Sequence, residues 1–316
     1  MVRLAGLIAV VLWPAVTSAQ GYPKRAVRLV VASSPGSGVD IVARILAQRM
    51  SETLGVQMVI DNRPGAGGGV GVLNVAKSAP DGYALLMAAP SLTISASLVR
   101  DSPVDPVRDF APVGQATTGH YVIVVHPSLP VHSVRELIAL AKAKPGQLNF
   151  GSGGNGNSTH LAMAYLMSLT GIDMVHVPYK GSGAAVTDLL AGQIQLMFAN
   201  ITAAVPHVKT GKMRAIAASG AARSLALPTL PTVAEAGVPG YAVTSWFGLL
   251  APARTPPDII SKLNGVLTTV MRARDMRDKL AVEGAEPAPG TAAEFGKHLA
   301  REVAIWAKVV KIAGVQ

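Results

Sequence analysis

Val27-Arg28-Leu29-Val30-Val31-Ala32 runs straight into Ser33-Ser34-Pro35-Gly36-Ser37-Gly38-Val39, and that polar turn opens onto Asp40 to Leu54. The first segment is a short β-branched run, the signature of a buried strand. The last carries Ile41, Val42, Ile45, Leu46, Met50 and Leu54 on one helical face, and Gly55 stops it. Val56 to Ile60 then reads as the next strand and Ala84 to Ala88 as a third, with starts 29 and 28 residues apart. Such spacing leaves room for one crossover helix per step, so the class is α/β with parallel strands.

The plan repeats downstream. Leu148 to Phe150, Met174 to Val177 and Gln195 to Ala199 read as strands, joined by helical stretches Ser158 to Thr170 and Gly183 to Ala191. Pro112 to His126 reads as extended, as does Tyr241 to Pro252, which leads into two terminal helices at about Pro256 to Arg274 and Thr291 to Ile312. With these two runs as crossovers, residues 20–120 plus 245–316 form one lobe and 121–244 the other. Two lobes joined by two strands make a hinge that closes on a ligand.

Residues 1–19 read as a secretory signal peptide: Arg3, an apolar run from Leu4 to Val16, then small residues up to Ala19, after which cleavage is expected. The apolar run is shorter than the roughly 20 residues of a spanning helix. Export sets a periplasmic address. The expected mature chain keeps 27 basic and 18 acidic side chains, a net charge of +9. That balance favours small anionic solutes; 4% aromatics and no Lys/Arg cluster speak against nucleic acid. The chain has no cysteine, which excludes disulfides, thiolate zinc sites, iron-sulfur centres, a cysteine nucleophile and a lipoprotein anchor.

Each half opens its first strand-to-helix step with a glycine- and hydroxyl-rich turn. One holds Ser33, Ser34, Gly36, Ser37, Gly38 and Asp40; the other runs Gly151-Ser152-Gly153-Gly154-Asn155-Gly156-Asn157-Ser158-Thr159-His160. Open α/β sheets bind ligands at this edge, where free amides at a helix start and the positive dipole end favour an anion. Gly and Ser are also ordinary turn and cap residues, but matched loops on facing lobes favour a ligand site. Asp40 lies four residues before Arg44 in the first turn, so helix stabilisation accounts for it as well as a ligand does. His160 lies where it either donates to an anion or packs. Asn62 to Gly69 is another glycine-rich turn, explained equally by phosphate binding and by turn chemistry.

Enzyme motifs fail one by one. Gly151, Gly153 and Gly156 satisfy G-x-G-x-x-G, but the acid expected at the end of the next strand is absent, since that strand ends in Pro178-Tyr179-Lys180. The chain contains no G-x-S-x-G, no G-x-x-x-x-G-K-[ST] and no H-E-x-x-H. His120, His126 and His132 recur every six residues without local carboxylates, which suggests no metal site.

Several longer motifs carry a family resemblance. Tyr22-Pro23, Pro35 to Asp40, Asp61-Asn62-Arg63-Pro64-Gly65-Ala66-Gly67-Gly68, Ala79-Pro80-Asp81-Gly82-Tyr83, Val177-Pro178-Tyr179-Lys180-Gly181, Pro231 to Gly237 and Trp246-Phe247-Gly248-Leu249-Leu250-Ala251-Pro252 resemble the Bug family, in order along the chain. These are extracytoplasmic solute receptors of tripartite tricarboxylate transporters. The resemblance implies a two-lobed periplasmic receptor, a Venus flytrap acting as a monomer. It would close on one small organic anion, a carboxylate, and deliver it to membrane permease components, with no reaction and no cofactor. It also implies ligand contacts from both glycine loops, from Gly181 and Asn200, and from Ser91 after the third strand.

Two departures bear on the pocket. Relatives often carry Pro-Phe-Ala-Pro-Gly-Gly-Gly-Thr-Asp where this chain has Ala32 to Asp40, so Ser33 replaces an aromatic ring and Val39 a hydroxyl. Ala164 stands where many relatives have Glu. The resemblance therefore implies no particular carboxylate. A sensory receptor reporting to a membrane kinase would look the same, and an exported dinucleotide-dependent enzyme is the remaining alternative.

Overall fold

The computed structural model describes residues 21–98 and 103–314, so the expected signal peptide lies outside the described residues. The first lobe begins β1 (Val27–Val31), α1 (Gly38–Leu54), β2 (Met58–Asn62), α2 (Gly69–Ala76), β3 (Ala84–Ala88) and α3 (Ser91–Leu98). The 16-residue β4 (Phe110–Val125) carries the chain across to α4 (Val134–Ala143), β5 (Asn149–Ser152), α5 (Ser158–Thr170), β6 (Val175–Pro178), α6 (Ser182–Leu190), β7 (Leu196–Asn200), α7 (Ile201–Lys209) and β8 (Arg214–Ala218). It returns through β9 (Thr244–Pro252) and finishes with α8 (Pro257–Arg272), α9 (Arg274–Val282), β10 (Glu286–Pro287) and α10 (Ala292–Ala313). The expected helix at about Pro256 to Arg274 is α8, and a further helix, α9, follows it after Ala273, which is extended (φ −62°, ψ 139°).

The strand order is β2-β1-β3-β9-β4-β7-β5-β6. Parallel pairing joins β2-β1-β3 in one sheet and β6-β5-β7 in the other. The crossover strands are antiparallel to their neighbours: β9 lies between β3 and the first half of β4, whereas the second half of β4 pairs with β7 and β8. The register changes sheet between His120, opposite Thr244, and Tyr121, opposite Asn200. One continuous strand thus belongs to both lobes.

Each sheet buries both faces. In the first lobe, Val42, Leu46 and Met50 of α1 join Leu263 and Leu267 of α8 on one face. Val72, Leu92, Phe295 and Leu299 cover the other. In the second, α6 and α7 cover one face with Ala185, Leu189 and Val205, while α4 and α5 cover the other with Leu137, Leu161 and Leu166. Helix α10 serves two cores: Phe295 and Leu299 lie in the first lobe, and Trp306, Val309 and Val310 pack beneath α5 in the second. Among the described residues no helix is long and apolar enough to cross a membrane.

Candidate functional site

The two glycine-rich turns face each other across the cleft between the sheets, each held by its own chemistry. Ser37 caps α1 by accepting from the Asp40 amide, and Asn157 caps α5 by accepting from the Thr159 amide at 3.1 Å. Asp40, 2% exposed, ties the first turn down. Its Oδ2 accepts from the Gly36 amide and Arg44 Nε, both at 3.0 Å, and its Oδ1 accepts from Asn62 Nδ2 at 2.9 Å. The same Asn62 Nδ2 donates to the Ser33 carbonyl at 3.1 Å. In the second turn, Thr159 Oγ1 accepts from the Gly153 amide at 2.9 Å and donates to Asn157 Oδ1 at 3.0 Å.

The lobes meet closely along this line. Ser34 Oγ accepts from the Ala184 amide of α6 at 3.3 Å, a bond between residues 150 apart in sequence. Gly38 abuts Asn200 and Thr202, Gly183 abuts the Pro35 carbonyl, and a Cβ on either glycine would collide with those neighbours. Between the contacts lies a cleft with about 540 Å³ of space free of protein atoms, the open solvent at its mouth included. Five helices direct their N-termini at it: Gly38 and Val39 of α1, Ser91 and Leu92 of α3, Asn157 to Thr159 at α5, Ser182 of α6, and Asn200, the cap of α7. First-turn amides have no intrahelical acceptor, and each helix start carries a positive partial charge. The arrangement is suited to holding an anion without a cationic side chain.

A neutral network forms the floor. Asn200 Nδ2 donates to Ser245 Oγ at 2.6 Å, and Ser245 and Ser158 both hydrogen-bond the Tyr121 phenol. Burial raises the pKa of that phenol, so Tyr121 stays protonated. Ala32, Val39, Val72, Leu92 and Phe247 supply an apolar wall on the first-lobe side. A neighbouring pocket shares Val72 and Ser91 and is lined also by Gly67, Leu98, Asn155 and Gly156.

Residues 42–315 match the Tripartite tricarboxylate transporter family receptor. The chain belongs to that family. Protein BugT of Bordetella pertussis (strain Tohama I) is 36% identical over 301 residues, 95% of this chain and 92% of the relative. Among solved structures, R. palustris Rpa4515 with adipate is 38% identical with a TM-score of 0.90, covering 93% of this chain and 99% of that one. MatC from Rhodopseudomonas palustris with bound malate is 30% identical with a TM-score of 0.88, covering 92% and 100%. The two-lobed α/β architecture expected from the sequence is the fold shared with these receptors.

Within this receptor fold, Ser33, Gly38, Ser91, Asn157, Ser158 and Asn200 line the cleft, and Asn155 and Gly156 line the adjoining pocket with Ser91. Ser34 and Gly181 sit at the contact between lobes, with Gly181 (φ 109°) packed against Ser34. Gly36, Ser37 and Asp40 shape the first turn from behind. Ser152 and His160 line neither the cleft nor the adjoining pocket. The His160 ring stacks on His176 at 3.9 Å, its Nδ1 accepts from the Gly156 amide at 3.2 Å, and Ser152 Oγ hydrogen-bonds His176 Nε2 at 2.6 Å. Burial first, and His160 second, lower the His176 pKa to about 4, and burial also lowers that of His160. Both rings are therefore neutral at pH 7. Sequence reasoning missed Tyr121, Ser182, Leu92, Val72 and Phe247 as cleft residues. Ser182 directly follows Gly181 and opens a helix, a pattern the sequence does display; Val72 and Leu92 come from α2 and α3, and Tyr121 and Phe247 reach the cleft through sheet pairing.

Proposed function

We propose that this protein is an exported periplasmic receptor that captures a small organic acid in the cleft between lobe 20–120 plus 245–316 and lobe 121–244, and delivers it as a monomer to membrane permease components. The observation that carries this reading is the convergence of five helix N-termini and neutral donors on one cleft. Membership of the receptor family and resemblance to structures with adipate and malate support the carboxylate class. Resemblance to periplasmic binding protein BugD, 32% identical with a TM-score of 0.90, supports the address.

Mechanistically, the first lobe presents the amides of Gly38 and Val39 and the hydroxyls of Ser33 and Ser91. The second presents Asn157, Ser158, Ser182 and the starts of α5 and α6. An anion between them bridges the two donor sets, so the closed arrangement gains stability only when ligand is present. Binding adds no bond-breaking step, and the side chains of the cleft serve as donors rather than as acid, base or nucleophile.

Titration calorimetry and thermal shift of residues 20–316 against adipate, malate and a panel of monocarboxylates test the reading. A ligand at about 1,000 times its Kd adds roughly 4 kcal/mol to native stability, which raises Tm by several degrees. A carboxylate that binds stoichiometrically is the expected result. Binding of a nicotinamide cofactor alone would replace the receptor with the dinucleotide enzyme.

A further inference from the structure

The outer face of α10 carries charge of one sign only. Between Phe295 and Gly314 the chain has four cations, Lys297, Arg301, Lys308 and Lys311, and a single acid, Glu302. That acid is buried and accepts from two indole N–H groups, so it is turned inward. On the opposite side of the helix, Arg301, Ile305, Lys308 and Ile312 follow one another at steps of 4, 3 and 4 residues. This spacing aligns them in one stripe, about 17 Å long at 1.5 Å per residue. Ile305 and Ile312 are 51% and 50% exposed, and the cations between and beside them are exposed as well. Leu169 of α5, 40% exposed, directly follows Ser168, whose hydroxyl donates to the Ile312 carbonyl at 2.7 Å, and adds a third apolar side chain at that end. The neighbouring helices bring no counter-charge, since α3 and α5 pack against α10 and contain no Asp, Glu, Lys or Arg. Among the described residues, Arg301, Lys308 and Lys311 form no ion pair.

A surface that serves solubility alone mixes both signs and spaces its apolar side chains apart. Here cations alternate with large exposed apolar groups along one helix, the pattern of a helix that lies on an anionic membrane. A helix face is convex, which suits a flat partner. We propose that this stripe adsorbs the receptor to anionic phospholipid. The guanidinium and ammonium groups meet lipid phosphates, while Ile305 and Ile312 enter the headgroup layer. Few charges take part, so the attachment is reversible and screened by salt. The stripe lies outside the cleft, so adsorption is independent of the solute and holds the receptor at the membrane in either state.

Sedimentation of residues 20–316 with phosphatidylglycerol–phosphatidylcholine vesicles, and with pure phosphatidylcholine vesicles, at low and high salt tests this. The expected result is binding to the anionic vesicles alone, lost at high salt. Arg301→Gln with Lys308→Gln lowers that binding at least about tenfold, each cation near an anionic surface contributing severalfold. Ile305→Ser with Ile312→Ser also weakens it; an unchanged isoleucine pair counts against the proposal. Lys209→Gln with Lys212→Gln removes the same net charge beside α7, on the opposite face of the second sheet, and leaves binding nearly as in the parent. Thermal melts check that each variant is folded. Equal losses in the two glutamine pairs would mean that net charge alone binds lipid, and the stripe would be overturned. No binding to anionic vesicles at low salt, or equal binding to neutral ones, overturns the lipid surface. Attachment only to neutral proteoliposomes that carry the permease components would assign the stripe to an acidic protein face instead.

Discussion

Trp246 on β9 and Trp306 on α10 donate their indole N–H groups to the same carboxylate oxygen, Glu302 Oε2, at 2.8 Å and 3.0 Å. Trp246 belongs to a first-lobe core and Trp306 to a second-lobe core, so this 5%-exposed carboxylate links the two where α10 passes between them. The crossover strands are therefore not the sole connection between the lobes. Closure has to pivot about a third element that the two indoles already hold through Glu302.

Removing that acceptor strands two buried donors. An unsatisfied buried group costs about 1–3 kcal/mol. Glu302→Leu is expected to lower unfolding free energy by at least about 2 kcal/mol, and Glu302→Gln, which keeps an acceptor oxygen, by about half as much. Denaturant titration followed by tryptophan fluorescence measures both; equal losses would show that the acceptor is not what matters.

The close approach of Gly38 to Asn200 and Thr202, and of Gly183 to Pro35, sets a second expectation. Both glycines lie in helices at ordinary negative φ, so alanine favours each helix by up to about 1 kcal/mol. The added methyl fits only when the lobes are apart. Gly38→Ala and Gly183→Ala should melt no lower than the parent without ligand, yet lose at least about tenfold in ligand affinity, equivalent to about 1.4 kcal/mol. Small-angle scattering with and without a bound carboxylate would show whether these variants still contract; contraction with full affinity would remove the closure argument.

The βαβ steps were legible because Val42, Leu46 and Met50 recur in phase and Gly55 ends the helix (φ 72°). The second turn was legible from Asn157 and Ser158 at the start of α5. Helices α2 and α3 were not: Gly69-Val70-Gly71-Val72 and Ser91-Leu92-Thr93-Ile94 have weak helical periodicity, and tertiary packing of Val72, Leu92 and Ile94 makes them helices. Periodicity showed that α10 has an apolar face, but not that Leu299 and Trp306 on that face enter different lobes. Tyr121 reaches the cleft through the pairing of β4 with β7, and Phe247 through that of β4 with β9, non-local facts invisible to any window of sequence. For Asp40 the sequence allowed two roles, and the structure shows its carboxylate spent on Gly36, Arg44 and Asn62.

The stacked pair behind the second turn predicts an acid-sensitive site. His176 has a folded pKa of about 4 against 6.5 for the free side chain, caused chiefly by burial and then by His160. Between those values the unfolded chain takes up a proton that the native chain refuses. Stability is therefore full above about pH 6.5 and declines as pH falls toward 4. His176→Phe keeps an aromatic surface against Phe150 and His160 and removes the titrating ring. Melting temperatures at pH 7, 5.5 and 4.5 should fall less steeply in the variant; parallel curves would locate the acid sensitivity elsewhere.

Asn157 offers the sharpest separation of folding from binding. Its Oδ1 caps α5 through the Thr159 amide and accepts from Thr159 Oγ1, while the residue also lines the cleft. Asp is as good an N-cap as Asn and is favoured further by the helix dipole, so Asn157→Asp should keep or slightly raise stability. The same change exchanges an amide donor for a negative charge facing the bound carboxylate. Affinity should fall at least about tenfold, about 1.4 kcal/mol. Ser158→Ala, by contrast, removes a neutral donor and one partner of the Tyr121 phenol, and should cost about 1 kcal/mol in binding. Calorimetric titration of the two variants beside thermal melts reads both effects. An Asn157→Asp protein that binds carboxylates as the parent does would place the anion away from the start of α5, and with it would go the two-sided cradle on which ligand-driven closure depends.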